Sequence, residues 1–181
     1  MMVLMLIRYF FPGLIIDMNG GLCKDLMRWK EIYHLSCLDC VAMAQLLWRC
    51  REFRNLVIYR HRHYPIRRRL IGLFYPPLET LYLDALEIGG GLYIQHGFAT
   101  MIAAKSIGEN CWINQQVTIG YNGPGEPPTI GDNVTITCGA KVLGPITVGN
   151  GVVVGANAVV IRDVPENCVV GGVPARILKQ K

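Results

Sequence analysis

The sequence has few charged residues and no sign of a disordered composition. Charged side chains make up 17% of its 181 residues, whereas hydrophobic ones make up 51%. Disordered chains combine low hydrophobicity with high net charge, so this composition excludes a largely disordered protein. The length allows one large domain, or one domain with an appendage, and two full cores are not expected.

The sequence also lacks the regular cysteine spacing of a secreted, disulfide-bonded domain. Its seven cysteines are an odd number without a repeated interval, which favours reduced thiols and a cytoplasmic protein. One pair, Cys37 and Cys40, has the C-x-x-C spacing of zinc and redox sites. No second ligand pair follows it and the segment has helical periodicity, so no metal cofactor is expected.

No apolar run at the start of the sequence reaches the length of a membrane-spanning helix. Residues 1–16 are apolar, but Arg8 interrupts them, and Pro12 and Gly13 follow. A bilayer needs about 20 such residues, and no small-residue cleavage site of a secretory leader is evident. We expect this run to form a helix packed on its own protein, with docking on a membrane surface as the alternative.

The net charge of +5 is concentrated in residues 60–69, which contain five arginines and two histidines. Such a cluster suits phosphates, anionic lipid headgroups or acidic partners, and it is also typical of a solvated helix end. No nucleic-acid module or interleaved aromatic platform accompanies it, so no nucleic-acid partner is expected. Contact with a membrane surface through this region is an open alternative and is not expected.

Two different periodicities divide the chain. Through residues 1–80 apolar residues recur three and four apart, which indicates helices. Residues 81–181 are predicted to form a β domain with a C-terminal tail, because from Ile88 onward an aliphatic residue begins a new repeat at most intervals of six. The repeats start at Ile88, Ile94, Ile107, Ile113, Ile119, Ile130, Ile136, Val142, Val148, Val154 and Val160.

A six-residue period fits neither an α-helix nor a sheet of hairpins. It fits a coil of three short, flat strands joined by tight corners, with each repeat start pointing inward and glycine or asparagine at the corners. Two departures stand out. One extra residue lies between Ile94 and Ile107, and five lie between Ile119 and Ile130, where residues 121–128 predict an extruded loop.

Residues 88–97 and 113–120, together with the ending Gly171–Ile177, closely resemble the serine acetyltransferases and the related polysaccharide O-acetyltransferases. The resemblance covers about residues 75–179 and rests on motifs as well as on repetition. It implies a mainly β fold, a left-handed parallel β-helix, and a homotrimer whose active sites lie between subunits. It also implies acetyl-CoA as co-substrate and transfer of the acetyl group to a small hydroxyl acceptor.

The resemblance places His96 in the position of the family's catalytic histidine. A neutral imidazole can accept the proton of an acceptor hydroxyl, which is the role of a general base. The family orients this histidine with an aspartate about fifteen residues upstream, where this chain has Leu81. Asp84 is the predicted substitute, and Glu87 is the alternative.

The resemblance further assigns a groove for coenzyme A. Small residues at four positions would line its pantetheine arm, and two basic side chains would lie near its phosphates. Because the coil itself requires glycine and alanine at its corners, the two cations are the more diagnostic members of the set. These predicted residues are Gly120, Cys138, Gly139 and Ala156, with Arg162 and Lys179 for the phosphates.

The sequence leaves the acceptor open between serine and a sugar hydroxyl. The overall resemblance favours serine O-acetyl transfer at the start of cysteine biosynthesis. A second histidine that helps the family bind serine is missing, and Pro127 and Pro128 lie in its neighbourhood. Together with the missing aspartate, this favours a sugar or polysaccharide acceptor. A non-catalytic β-helix scaffold is the third hypothesis, and the presence of His96 argues against it.

Overall fold

The computed structural model describes Ile16, Met18 and residues 20–180, and the chain divides into two compact units between Leu78 and Glu79. The helix predicted for residues 1–16 lies outside the described residues, apart from Ile16, which is buried. Within the part of the chain that is described, no helix is long and apolar enough to cross a membrane.

Four helices form the described part of the first unit. Their buried faces meet around Trp29, whose ring centroid lies 5.0 Å from that of Phe53. The apolar residues Leu22 and Leu26 of the first helix are buried, but Met27 is 62% exposed and faces solvent. The helices are α1 (Gly20–Ile32), α2 (Asp39–Arg49), α3 (Arg51–Arg60) and α4 (Pro65–Phe74).

A buried ion pair joins α1 to α3. The Arg60 guanidinium donates to both carboxylate oxygens of Asp25 at 2.7 and 3.0 Å, and the Asp25 side chain is fully buried. His61, the next residue of the predicted basic cluster, is also buried, with its Nδ1 2.8 Å from the Val57 carbonyl oxygen. Two of the seven members of that cluster therefore belong to the interior of the helical unit.

The second unit contains fifteen short strands, numbered β1 to β15. Fourteen of them form three parallel sheets, in which each strand pairs with the equivalent strand one coil away. Sheet A contains β1 (Leu81–Leu83), β4 (Thr100–Ile102), β7 (Thr118–Gly120), β10 (Lys141–Leu143) and β13 (Val159–Val160); sheet B contains β2 (Glu87–Ile88), β5 (Ser106–Ile107), β8 (Thr129–Ile130) and β11 (Thr147–Val148); sheet C contains β3 (Tyr93–Ile94), β6 (Trp112–Ile113), β9 (Thr135–Ile136), β12 (Val153–Val154) and β14 (Cys168–Gly172).

The inward positions of these strands form the core of a five-coil β-helix. All eleven predicted repeat starts are buried, and equivalent starts pair across coils, as Ile107 pairs with both Ile88 and Ile130. Each coil therefore stacks its aliphatic side chains on those of the next, about 4.8 Å away. The predicted fold class, a mainly β hexapeptide-repeat β-helix behind a short helical region, is confirmed.

The chain turns from one sheet to the next at three corners of each coil, and two of these corners contain predicted site residues. The A–B corner joins sheet A to sheet B and comprises residues 84–86, 103–105, 121–128, 144–146 and 161–163. The C–A corner joins sheet C to the next strand of sheet A and comprises residues 95–99, 114–117, 137–140 and 155–158. The predicted extruded loop is confirmed at the A–B corner, where Tyr121 to Glu126 are exposed.

The first C–A corner differs from the one predicted. Ile102, rather than a residue six after Ile94, is the next inward residue of sheet A, because it pairs with Ile119. The corner after Ile94 is therefore two residues longer than the regular interval, and the following interval to Ile107 is one residue shorter. Thr100 consequently takes a buried place at the start of β4, and Phe98 is 46% exposed.

The final strand, β15 (Ala175–Gln180), follows β14 through a tight turn and runs antiparallel to it, with Val169 opposite Lys179. The predicted C-terminal tail is therefore part of sheet C.

Candidate active site

His96 lies on the lengthened C–A corner between β3 and β4. Its side chain is exposed, its φ is +60°, and the backbone N–H of Phe98 donates to its carbonyl oxygen. A non-glycine residue rarely adopts positive φ, and such conformations persist where surrounding structure enforces them. The turn leaves His96 and Phe98 exposed on either side of the buried Gly97.

The residues before His96 are fixed by an aromatic cluster on the outer side of sheet C. Trp112 Nε1 donates to Gln95 Oε1 at 3.2 Å, and the Trp112 ring meets Tyr93 edge to face at 4.7 Å between centroids. The His96 imidazole itself makes no hydrogen bond or ion pair with the described residues. It is therefore free to accept a proton from a bound molecule.

The C–A corners stack directly on one another along the β-helix. The N–H of Gln116 donates to the Phe98 carbonyl at 3.1 Å, that of Gly139 to Gln115 at 3.0 Å, and that of Asn157 to Cys138 at 2.9 Å. At about 4.8 Å per coil, Cys138 and Gly139 lie about 10 Å along the axis from His96. The stacked C–A corners form one edge of the β-helix, and this edge contains His96 and three predicted cofactor residues, Cys138, Gly139 and Ala156.

The two glycines of the predicted coenzyme A groove differ in whether the coil requires glycine at their position. Gly139 has φ of +72°, and a Cβ there would collide with the Asn157 side chain, so the coil requires glycine at this position. At Gly120 a Cβ would meet no atom within 4 Å, and no positive φ constrains it. The expectation that the coil alone explains every glycine of the set is therefore wrong for Gly120.

A buried acceptor without a partner lies on the same edge. Gln115 Oε1 is shielded from solvent and accepts no hydrogen bond from the described residues. Such an atom costs about 1–3 kcal/mol unless something donates to it. The pantetheine arm of coenzyme A carries amide N–H groups, so the site fits that carrier. Gln115 belongs to the quoted 113–120 motif, but only its burial marks it as a binding residue.

Four predicted residues do not lie at the C–A corner of the same chain, and one of them, Gly120, is the last residue of β7. Asp84 and Arg162 are exposed residues of the A–B corner, and the backbone N–H of Asp84 donates to Ile102 at 2.8 Å. Lys179 lies in β15 beside Val169. One chain alone therefore does not bring the predicted substitute carboxylate to His96, and the predicted roles of Asp84, Arg162 and Lys179 stay predictions.

One basic residue near this edge was not predicted from the sequence. Lys141 projects from β10, and its Nζ donates to the Gln116 carbonyl at 2.6 Å. Its only sequence signal is its place at the outward position of a strand, which many surface lysines share. It adds a positive charge to the stacked C–A corners.

The cysteines are free thiols in different surroundings. Burial raises the pKa of the Cys111 thiol to about 11, and it also raises the pKa of Cys50. Cys37 is half-buried in the loop before α2 and Cys40 is exposed, so neither is a buried helix cysteine. In the described ranges no three His, Cys, Asp or Glu side chains are grouped to hold a metal ion.

Residues 127–162 match the family described as "Bacterial transferase hexapeptide (six repeats)". Among curated relatives, a serine acetyltransferase of Synechococcus elongatus is 39% identical over 138 residues, which are 70% of this chain and 56% of that protein. The chain thus spans little more than half the length of this relative.

Solved structures of serine acetyltransferases have the same fold over nearly the whole chain. One in complex with cysteine is 26% identical with a TM-score of 0.68, and the match covers 98% of this chain and 75% of that one. Another in complex with CoA is 25% identical with a TM-score of 0.65, covering 96% and 74% respectively. The similarity therefore includes the helical unit as well as the β-helix.

Proposed function

We propose, on the premise that this chain belongs to the serine acetyltransferase-like hexapeptide-repeat family, that it is an acetyl-CoA-dependent O-acetyltransferase with His96 as general base. Serine is the first candidate acceptor, because the similar proteins are named for it. The observation that carries the proposal is the exposed, positive-φ imidazole at the head of an edge that also contains the partnerless Gln115 acceptor.

In the proposed reaction the oxygen of the acceptor hydroxyl attacks the thioester carbonyl, and His96 takes the proton of that hydroxyl. The carbon–sulfur bond then breaks, and the imidazolium returns the proton to the departing CoA thiolate. The products are the acetyl ester and free CoA, so the protein ends the cycle unchanged. Gln115 would hold the pantetheine arm through its amide, and the small side chains of Gly139 and Ala156 would let that arm lie close to the backbone.

We further propose that the working form is a cytoplasmic homotrimer. A neighbouring copy would bring a second surface to the C–A corner, which supports the placement of active sites between subunits. It would also give Arg162 and Lys179 a route to the site, because one chain carries them on other faces. Sedimentation of the purified chain tests the trimer, and a monomer with full activity contradicts it.

A sugar hydroxyl is the second candidate acceptor. Phe98 is exposed within the same turn as His96, and an exposed aromatic ring offers a flat apolar surface to the C–H face of a sugar. Asp84, the substitute for the family's orienting carboxylate, lies on another corner. Both observations support testing sugars beside serine.

The experiment that tests the proposal is CoA release from acetyl-CoA in the presence of different acceptors. The panel contains serine, galactosides, glucosides and nucleotide sugars. Turnover with serine supports serine acetyl transfer, and turnover with sugars alone supports the second candidate. No turnover with any acceptor, by protein that is folded and binds acetyl-CoA, supports a scaffold and ends the proposal.

A further inference from the structure

A residue with positive φ lies at the same place in each C–A corner. The backbone hydrogen bonds between coils align Ala99, Gln116, Gly139 and Asn157, whose φ values are 50°, 60°, 72° and 56°. Glycine and asparagine tolerate this left-handed conformation, whereas alanine and glutamine rarely adopt it. The two unfavourable residues belong to the two coils nearest His96, and such conformations persist only where other contacts hold them.

Lys141 holds the backbone of Gln116 from the neighbouring coil. Its Nζ donates to the Gln116 carbonyl oxygen at 2.6 Å. Within the described ranges no backbone N–H donates to that oxygen. A hydrogen bond from an ammonium group is stronger than one between neutral groups. Lys141 therefore restrains the peptide group that follows a residue with an unfavourable φ.

Two backbone hydrogen bonds connect Gln116 to the turn of His96. The N–H of Gln116 donates to the Phe98 carbonyl at 3.1 Å, and the N–H of Phe98 donates to the His96 carbonyl. The His96 imidazole is exposed and makes no hydrogen bond or ion pair with the described residues. Its direction therefore depends on the backbone from which it projects, and Lys141 lies at the other end of this series of contacts.

We propose that Lys141 is a positioning residue for His96, an inference that rests on the proposed acyl transfer. A general base has to lie within hydrogen-bond reach of the proton that it removes, and a displacement of about 1 Å can lower the rate by a factor of about a hundred. By holding Gln116, Lys141 limits the movement of the turn that contains Phe98 and His96. It acts through the backbone and touches none of the reacting atoms.

The test compares Lys141→Met with Lys141→Arg in steady-state kinetics. Methionine keeps an unbranched side chain but cannot donate, whereas arginine keeps a charged donor. Lys141→Met should lower kcat about tenfold and leave the KM for acetyl-CoA within about twofold, because the base is displaced while the carrier still binds. Lys141→Arg should restore most of kcat. An unchanged kcat in Lys141→Met would overturn the proposal, and so would a raised KM at unchanged kcat, which would make Lys141 a cofactor contact.

Lys105→Met is the matched control. Lys105 is also a lysine of the β-helix with a contact of its own, because its Nζ lies 3.4 Å from a carboxylate oxygen of Glu126, but it belongs to the A–B corner. Its kcat should equal that of the unsubstituted chain. Equal losses of kcat in Lys105→Met and Lys141→Met would show a general effect of removing a surface lysine and would contradict a positioning role.

Gln116→Gly tests whether Lys141 acts through the left-handed backbone. Glycine adopts positive φ without a steric cost, so the restraint from Lys141 should matter less there. In the Gln116→Gly background Lys141→Met should lower kcat by less than about threefold, because the two residues belong to one set of contacts and their effects do not add. A full tenfold loss in that background would overturn the route through Gln116.

Hydrogen exchange of the Gln116 amide tests the same contact without turnover. The amide should exchange about fivefold faster in Lys141→Met than in the unsubstituted chain, because local opening becomes easier, and it should be unchanged in Lys105→Met. If the unsubstituted chain turns over an acceptor and the exchange rate is the same in Lys141→Met, the positioning role alone fails. If the unsubstituted chain turns over no acceptor, the proposed function fails and the positioning role fails with it.

Discussion

Asp84 and His96 leave the first coil of the β-helix at different corners. Asp84 follows β1 at the A–B corner, whereas His96 follows β3 at the C–A corner, and the strands β2 and β3 lie between them in the chain. A full side of the triangular coil therefore separates the two backbones. The carboxylate of Asp84 cannot hold the imidazole of the same chain in the way a catalytic dyad requires.

Replacing Asp84 by asparagine should consequently leave kcat within about twofold of the unsubstituted value, because Asp84 lies at a different corner from His96 and does not orient it. Loss of an orienting carboxylate elsewhere costs orders of magnitude, so the two outcomes are well separated. Steady-state kinetics with the preferred acceptor measures the effect. A fall of a hundredfold or more would mean that Asp84 of a neighbouring copy reaches His96.

His96→Ala should lower kcat at least about a hundredfold, because the acceptor hydroxyl then has no positioned base. The KM for acetyl-CoA should change little. His34→Ala is the control, since His34 is also exposed and also has positive φ, at 52° against 60°, but lies in the helical unit. Equal activities of the two variants would remove His96 from the mechanism.

Gln115→Leu should have opposite effects on stability and on cofactor binding. Removing a buried acceptor that lacks a partner should leave the free energy of unfolding unchanged or raise it. The KM for acetyl-CoA should rise about tenfold, the equivalent of one lost hydrogen bond of roughly 1.4 kcal/mol. Chemical denaturation and acetyl-CoA titration measure the two quantities, and a KM that stays constant would exclude Gln115 from the groove.

The Cys111 thiol predicts a loss of stability at alkaline pH. Burial raises its folded pKa from 9.0 to about 11, so folding favours the neutral thiol. This contribution is complete below pH 9 and is lost as the pH rises to about 11, at up to roughly 1.4 kcal/mol for each pH unit.

The measurement is the free energy of unfolding against pH for the unsubstituted chain and for Cys111→Ala. The variant should be less stable at pH 8, and its disadvantage should shrink between pH 9 and 11. Cys40→Ala is the control, because Cys40 is exposed and should give a curve parallel to that of the unsubstituted chain. A disadvantage that is constant across this range would contradict the shifted pKa.

Asp25→Ala should destabilise the helical unit by about 3–5 kcal/mol, since it removes the buried carboxylate to which the Arg60 guanidinium donates two hydrogen bonds. Glu31→Ala breaks the Arg28–Glu31 pair, in which the glutamate side chain is 70% exposed, and should cost less than about 1 kcal/mol. Thermal and denaturant unfolding compare the two. Similar losses in the free energy of unfolding would show that the buried ion pair stabilises the protein no more than the exposed one.

The buried repeat starts could be predicted from the sequence because every coil needs an aliphatic side chain at its inward positions, which recur at the same interval. Every predicted start from Ile88 to Val160 is buried for that reason. The first C–A corner could not be predicted, since one extra residue between Ile94 and Ile107 can be distributed in several ways. Whether Phe98 or Thr100 occupies the inward place depends on the register with the next coil.

The site was only partly predictable for a related reason. Spacing places Cys138, Gly139 and Ala156 on the same edge as His96, but it does not reveal that Gln115 Oε1 lacks a partner, which depends on its three-dimensional surroundings. The exposed Ile66 and Leu73 of α4 recur at the same helical spacing as buried residues do. Only the packing of Ile71, rather than Ile66 or Leu73, shows which side faces the interior.

The reversed direction of β15 has a consequence for how the molecule ends. A parallel β-helix could in principle grow without limit, since each coil offers the next one the same row of backbone groups. On sheet C that row is occupied by a strand running the other way, which carries Arg176 and Lys179. A further parallel strand therefore cannot pair directly with β14, whose backbone groups on that side are shielded from association with another copy.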